Sequence, residues 1–193
     1  MPYVVRTVLE YFPIADLHPG DAILLNDSFL GSGHFPDCFL VSPAFLNNEV
    51  IGFVCTTAHH IDVGGAAPGS QKVHGVTEAF QEGLRILPIR LIRAGEFDAD
   101  ILRIILGNVR APEKVRGDLR AQANANRAGV FRLEELHSQY GRDVTESAFD
   151  EILEEWDNKS LQRLQAIEQF FGGEQESHRN QIFDDIKRHC LNI

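Results

Sequence analysis

Short apolar runs broken by Gly and Pro fill the first half of the chain. Apolar positions at three-and-four spacing fill the second, and the change falls near residue 97. DAILLND (21–27) and DCFLVSP (37–43) read as strands bounded by turns. PAFLNNEVIGFVCTTAHH (43–60) reads as a hairpin. Asn47-Asn48 tolerates the turn geometry, and the arm 49–58 is nearly all apolar. IDVGGAAPGSQKVHG (61–75) is a long Gly-rich loop. GLRILPIRLIRAG (83–95) returns to strand character, with Leu84, Ile86, Ile89 and Leu91 alternating. A slip at Leu87-Pro88 marks a bulge or an edge.

In FDADILRIILGNVR (97–110), Ile101, Leu102, Ile104 and Ile105 are expected on one side of a helix, with Asp98 as its N-cap. Pro112 suits the first turn of the next helix. That helix carries Val115, Leu119, Ala123, Asn126, Val130, Leu133 and Leu136 as a stripe and stops at Gly141. Asp143 and Glu146 resemble a capping box before a further helix that ends at Gly172-Gly173. A last amphipathic piece covers about 178–191. The expected fold class is α+β (mixed α/β), with a β-rich N-terminal half, Gly-rich loops and long helices in the C-terminal half.

The 193 residues suffice for one domain, or one domain with an appendage, and 44% hydrophobic residues allow a sizeable core. A net charge of −10 argues against a nucleic-acid phosphate backbone as partner. No apolar run approaches the roughly 20 residues that span a bilayer, and MPYVVRTVLEYF, broken by Arg6 and Glu10, lacks the organisation of a secretion signal. Cys38, Cys55 and Cys190 are too few and too scattered for a disulfide framework, so a reducing cytoplasm is expected.

The polar residues of the first half gather at strand ends: Asn26-Asp27, His34, Asp37, His59-His60 and Asp62. A His and an Asp at i and i+3 converge on one ion if the chain turns between them, and Pro36 helps fix such a turn. Along an extended AHHID, His60 and Asp62 share a side and His59 points the other way. His34, Asp37 and His60, with or without Asp62, make a nitrogen/oxygen set suited to Zn, Mn or Fe(II), with room left for water. The bland alternative is that adjacent histidines are surface or hydrogen-bonded residues. GGAAPGS (64–70) matches neither phosphate-binding glycine motif. Cys38, which directly follows Asp37, is a weaker candidate as a nucleophile paired with a nearby histidine.

Four blocks carry a resemblance. They are HPGDAILLNDSFLGSGHFPD (18–37), AHHIDVGGAAPGS (58–70), FQEGLRILPIRLIRAGE (80–96) and ILGNVRAPEKVRGDLRAQANANRAG (105–129). In order and spacing they resemble the hydantoinase B/oxoprolinase family: B subunits of ATP-dependent hydantoinases, the C-terminal part of 5-oxoprolinase, and a subunit of acetone carboxylase. The resemblance implies a metal-bearing subunit that works with a hydantoinase A-type partner, which uses ATP to phosphorylate the substrate. The B-type chain then hydrolyses a cyclic amide or, in the ketone branch, serves carboxylation. Carried over, the metal ligands are His34, Asp37 and His60. Asp27 and Asp62 would orient the ligating imidazoles, Asp62 alternatively being a ligand itself, and Glu82 would be a general base or a turn residue.

The departures are Ser28 in place of a proline, Gly33 in place of a hydroxyl residue, and EGLRILP in place of EGLRIPP. Family members run well over twice this length. The family-like domain is expected over 1–142 and a helical tail of unclear relationship over 143–193, so the chain reads as a piece of a split subunit, a truncated product or a domain with a new tail. The rival reading is a non-catalytic assembly module whose long helices form the interface.

Overall fold

The computed structural model describes residues 1–70 and 74–171. The chain divides into two compact units, residues 1–135 and 136–193. The expected final helical piece and the Gly172-Gly173 stop lie outside the described residues.

The first unit is built on a five-stranded antiparallel sheet. Its elements in chain order are α1 (Pro2–Tyr11), β1 (Ala22–Leu25), β2 (Asp37–Leu46), β3 (Glu49–His59), β4 (Ile89–Arg93), β5 (Glu96–Phe97), α2 (Ala99–Gly107) and α3 (Pro112–Tyr140), of which α3 runs past the unit boundary. The strand order is β3-β2-β1-β4-β5.

Both faces of the sheet are covered, and this explains why β1 is an unbroken apolar run rather than an alternation. Leu24 and Leu40 lie opposite each other and join Cys38, Leu91, Ile105, Val115 and Leu119 in one core. Ile23 and Val41, also paired, turn to the other face and pack with Val4, Val8 and Leu17. The second core needs α1, a helix the alternation of strands does not announce. Its face of Val4, Thr7 and Val8 is buried, and Pro2 stands in its first turn.

The hairpin turn falls at Asn47-Asn48, with φ of 52° and 67°, the positive pair a tight two-residue connection requires. One irregularity follows: Phe45 pairs with Val50 but Ala44 with Gly52, so Ile51 is the extra residue of a bulge.

Three expectations change. Residues 84–88 form no strand; their backbone is held by the Asn26 side chain. Nδ2 donates to the carbonyls of Phe35 (2.7 Å) and Leu84 (2.9 Å), and Oδ1 accepts from Ile86 N–H at 2.6 Å. In α2, Asp98 caps as expected, accepting from the amides of Asp100 and Ile101. Ile104, however, is 61% exposed, because the 100° step carries it off the face of Ile105. Helix α4 (Arg142–Phe171) opens directly after Gly141, whose carbonyl accepts from Thr145 N–H. Asp143 therefore sits inside its first turn rather than capping it. In the second unit His137 is buried, 6.4 Å ring to ring from Phe149.

Candidate metal centre

β2 and β3 run antiparallel, and at the open end of their hairpin Asp37, the first residue of β2, lies directly opposite His59, the last of β3. Directly opposed residues project to the same side. The turn before β2 adds His34. Its carbonyl accepts from Asp37 N–H at 3.0 Å, and Ser32 Oγ sits 2.8 Å from the carbonyl oxygens of both His34 and Asp37. Phe35, 1% exposed, anchors this turn in the core.

Three donor atoms consequently meet. His34 Nε2 and His59 Nδ1 each lie 2.9 Å from Asp37 Oδ1 and 3.1 Å from each other. Two ring nitrogens that close cannot both point hydrogens into the shared space. Either one donates to the other as a hydrogen bond, or a cation takes both lone pairs. Ligands at about 2.1 Å from an ion and at right angles lie about 3 Å apart, which is the spacing found. The three side chains are a third to two-fifths exposed, leaving room for further ligands.

His60, expected beside His34 and Asp37, does not meet this group. It is 1% exposed, and its Nε2 lies 2.8 Å from Gln122 Oε1 of α3. Residues 59 and 60 do face opposite ways, as strand alternation requires, but pairing with β2 puts His59 on the side of Asp37.

Asp27 and Asp62 are also placed differently from expectation. Buried Asp27 accepts from Phe29 N–H and from Arg85 Nε at 2.7 Å, fixing the 28–30 turn. Buried Asp62 accepts from the amide of Arg110, from its guanidinium at 3.2 Å and from Gly64 N–H. The same guanidinium donates to the carbonyls of Gly64, Gly65 and Ala67. GGAAPGS is therefore strapped down by an arginine rather than cradling a phosphate. Both aspartates spend their charge on an arginine and a backbone turn, not on an imidazole.

Glu82 reaches the backbone beside His34. Its Oε2 lies 3.4 Å from the amide nitrogen of Phe35, the neighbour of His34. The Cys38 thiol is pushed up to about 12, first by burial and then by the charges of Asp37 and Asp118, which disarms it as a nucleophile. Sequence reasoning did not single out Arg85, Arg110 and Gln122. All three lie inside the blocks that carry the resemblance, but their partners are 43 to 84 positions away, so only the fold reveals what they hold.

Comparison with known proteins places these residues in context. The family described as hydantoinase B/oxoprolinase matches across residues 1–193, including the stretch after about residue 142. An uncharacterised protein of Methanocaldococcus jannaschii is 41% identical over 146 residues, 74% of this chain and 26% of that protein. The putative B subunit of a D-/L-hydantoinase from a Pseudomonas species is 37% identical over 134 residues, 69% of this chain and 23% of that one. The crystal structure of ATP-dependent caprolactamase from Pseudomonas jessenii superposes with a TM-score of 0.73 at 28% identity, covering 83% of this chain and 28% of that one. The chain thus spans about a quarter of the length of these relatives.

Proposed function

We propose, since the chain belongs to the hydantoinase B/oxoprolinase family, that it supplies the metal-holding part of a B-type subunit in an ATP-dependent hydrolase of cyclic amides. The ligands in this reading are His34, Asp37 and His59. The observation that carries it is the convergence of their three donor atoms within 2.9 to 3.1 Å across two strand ends. One carboxylate and two imidazoles suit Zn, Mn or Fe(II). When bound, such an ion would polarise a carbonyl or lower the pKa of a water molecule.

The chain's own residues prepare that chemistry. Ser32 and buried Phe35 hold the His34 turn, and the β2–β3 register presents Asp37 to His59. Glu82 stands at the His34 end and is the general-base candidate. Activation of the substrate by ATP falls to an A-type partner. The resemblance to an ATP-dependent caprolactamase and to one subunit of a hydantoinase supports this division of labour.

Metal analysis of the purified chain, loaded in turn with Zn, Mn and Fe(II), tests the reading. About one equivalent should be retained by the wild type and lost in His34→Ala and His59→Ala. A wild type that holds no ion, or a His59→Ala variant that holds it as well as the wild type, overturns the assignment. With ATP and an A-type subunit present, Glu82→Gln should slow ring opening while leaving the bound metal unchanged. Unaltered turnover would remove Glu82 from the mechanism.

A further inference from the structure

We infer that Gln122 and His60 are positioning residues that set the geometry of His59 and Asp37 from the buried side of the hairpin. The inference rests on the metal reading above. Asp37 and His59 stand at strand ends, where local stability is lowest. Pairing with β1 stops at Phe39, leaving Cys38 and Asp37 beyond the last β1 partner. The hairpin therefore needs another tie at this end.

The residues after the two ligands supply it. Gln122 Nε2 donates to the carbonyl of Cys38 at 3.0 Å, and Gln122 Oε1 lies 2.8 Å from His60 Nε2. One amide thus grips position 38 on β2 and position 60 just past β3. The backbone completes the link, with His60 N–H donating to Pro36 O at 2.8 Å. Ligand and anchor alternate along both chains: Asp37 then Cys38, His59 then His60.

The hydrogen positions follow from chemistry. A carbonyl oxygen only accepts, so the Gln122 atom facing Cys38 is the NH2 group and the atom facing His60 is the oxygen. His60 Nε2 must then carry a hydrogen and donate it. Gln122 is 5% exposed and His60 1%. The cavity beside His60, lined by Leu24, Val63, Ile105 and Leu119 among others, is about 10 Å³. That is the lower bound for one water, so a lost bond is not readily replaced by solvent.

The test uses the whole chain with Co(II) as probe, following its visible absorption for affinity and ligand geometry, and thermal melting of the metal-free protein for folding. Gln122→Met and His60→Phe keep the bulk but break the grip. Each should weaken Co(II) binding about 10- to 100-fold, the range for residues that orient metal ligands, and alter the spectrum. His60→Gln, which still presents an N–H toward Gln122, should restore both. A purely structural role would lower the metal-free melting temperature and leave Co(II) affinity and spectrum as in the wild type, which overturns the inference. A second reading needs no metal: imidazole nitrogen NMR of His34 and His59 in the metal-free protein should shift in Gln122→Met. Unchanged signals overturn positioning. A wild type that binds no Co(II), with those shifts present, overturns the metal reading and leaves the positioning intact.

Discussion

Asn26 shows how much a single side chain holds in this molecule. It is fully buried and makes three hydrogen bonds to the backbones of residues 35, 84 and 86, replacing a strand that residues 84–88 do not form. Truncation to alanine would remove the amide donor from the Phe35 and Leu84 carbonyls and the acceptor from Ile86 N–H, three hydrogen bonds in all. At about 1 kcal/mol or more for each, Asn26→Ala should cost about 3 kcal/mol or more, read as a lowered urea midpoint. A change below about 1 kcal/mol would mean that the segment 84–86 is held by something else. Arg110 plays a comparable part, with one guanidinium serving Asp62 and three loop carbonyls.

At the scale of elements, the hairpin was legible. Asn47-Asn48 and the flanking apolar arms locate it from composition and turn chemistry alone. Since both asparagines have positive φ, Asn48→Gly should stabilise the fold by up to about 1 kcal/mol, because glycine reaches that region without a steric cost. A destabilised variant, by thermal melting, would show that the Asn48 side chain itself contributes. What could not be read was the pairing at the far end. Counting outward from the turn puts Ala58 opposite Asp37, and the bulge at Ile51 advances the count to His59. Gly52, alone inside an apolar strand, was the available clue. His34 and Asp37 were legible because they belong to one local turn. The third member of the cluster was not, because alternation within β3 says that His59 and His60 differ in side but not which side Asp37 takes. Helix α1 escaped notice for a similar reason: its apolar face has meaning only against Ile23, Leu25 and Val41.

For the whole molecule, alkalinity bears on stability through its buried thiols. The Cys55 thiol is pushed up from an ordinary 9.0 to about 11, mainly by burial. The unfolded chain loses that proton from about pH 9, whereas the native state keeps it to about pH 11. Unfolding gains from ionisation in between, so native stability should fall across that window. The urea midpoint of the wild type should decline more between pH 9 and 11 than that of Cys55→Ala. Parallel declines would refute a contribution from this thiol. No described helix is long and apolar enough to cross a membrane.

The Ile51 bulge also divides the hairpin by its tolerance of insertions and deletions. Residues added at the tip, between Asn47 and Asn48, lengthen a loop at small entropic cost and leave every pair from Ala44–Gly52 outward as it is. A residue gained or lost between Gly52 and His59, or between Asp37 and Ala44, rotates one arm by a half-step against the other. It then presents Ala58 or His60 to Asp37 instead of His59. The tip can drift in length across descendants of this sequence, whereas the two arms can change only in composition.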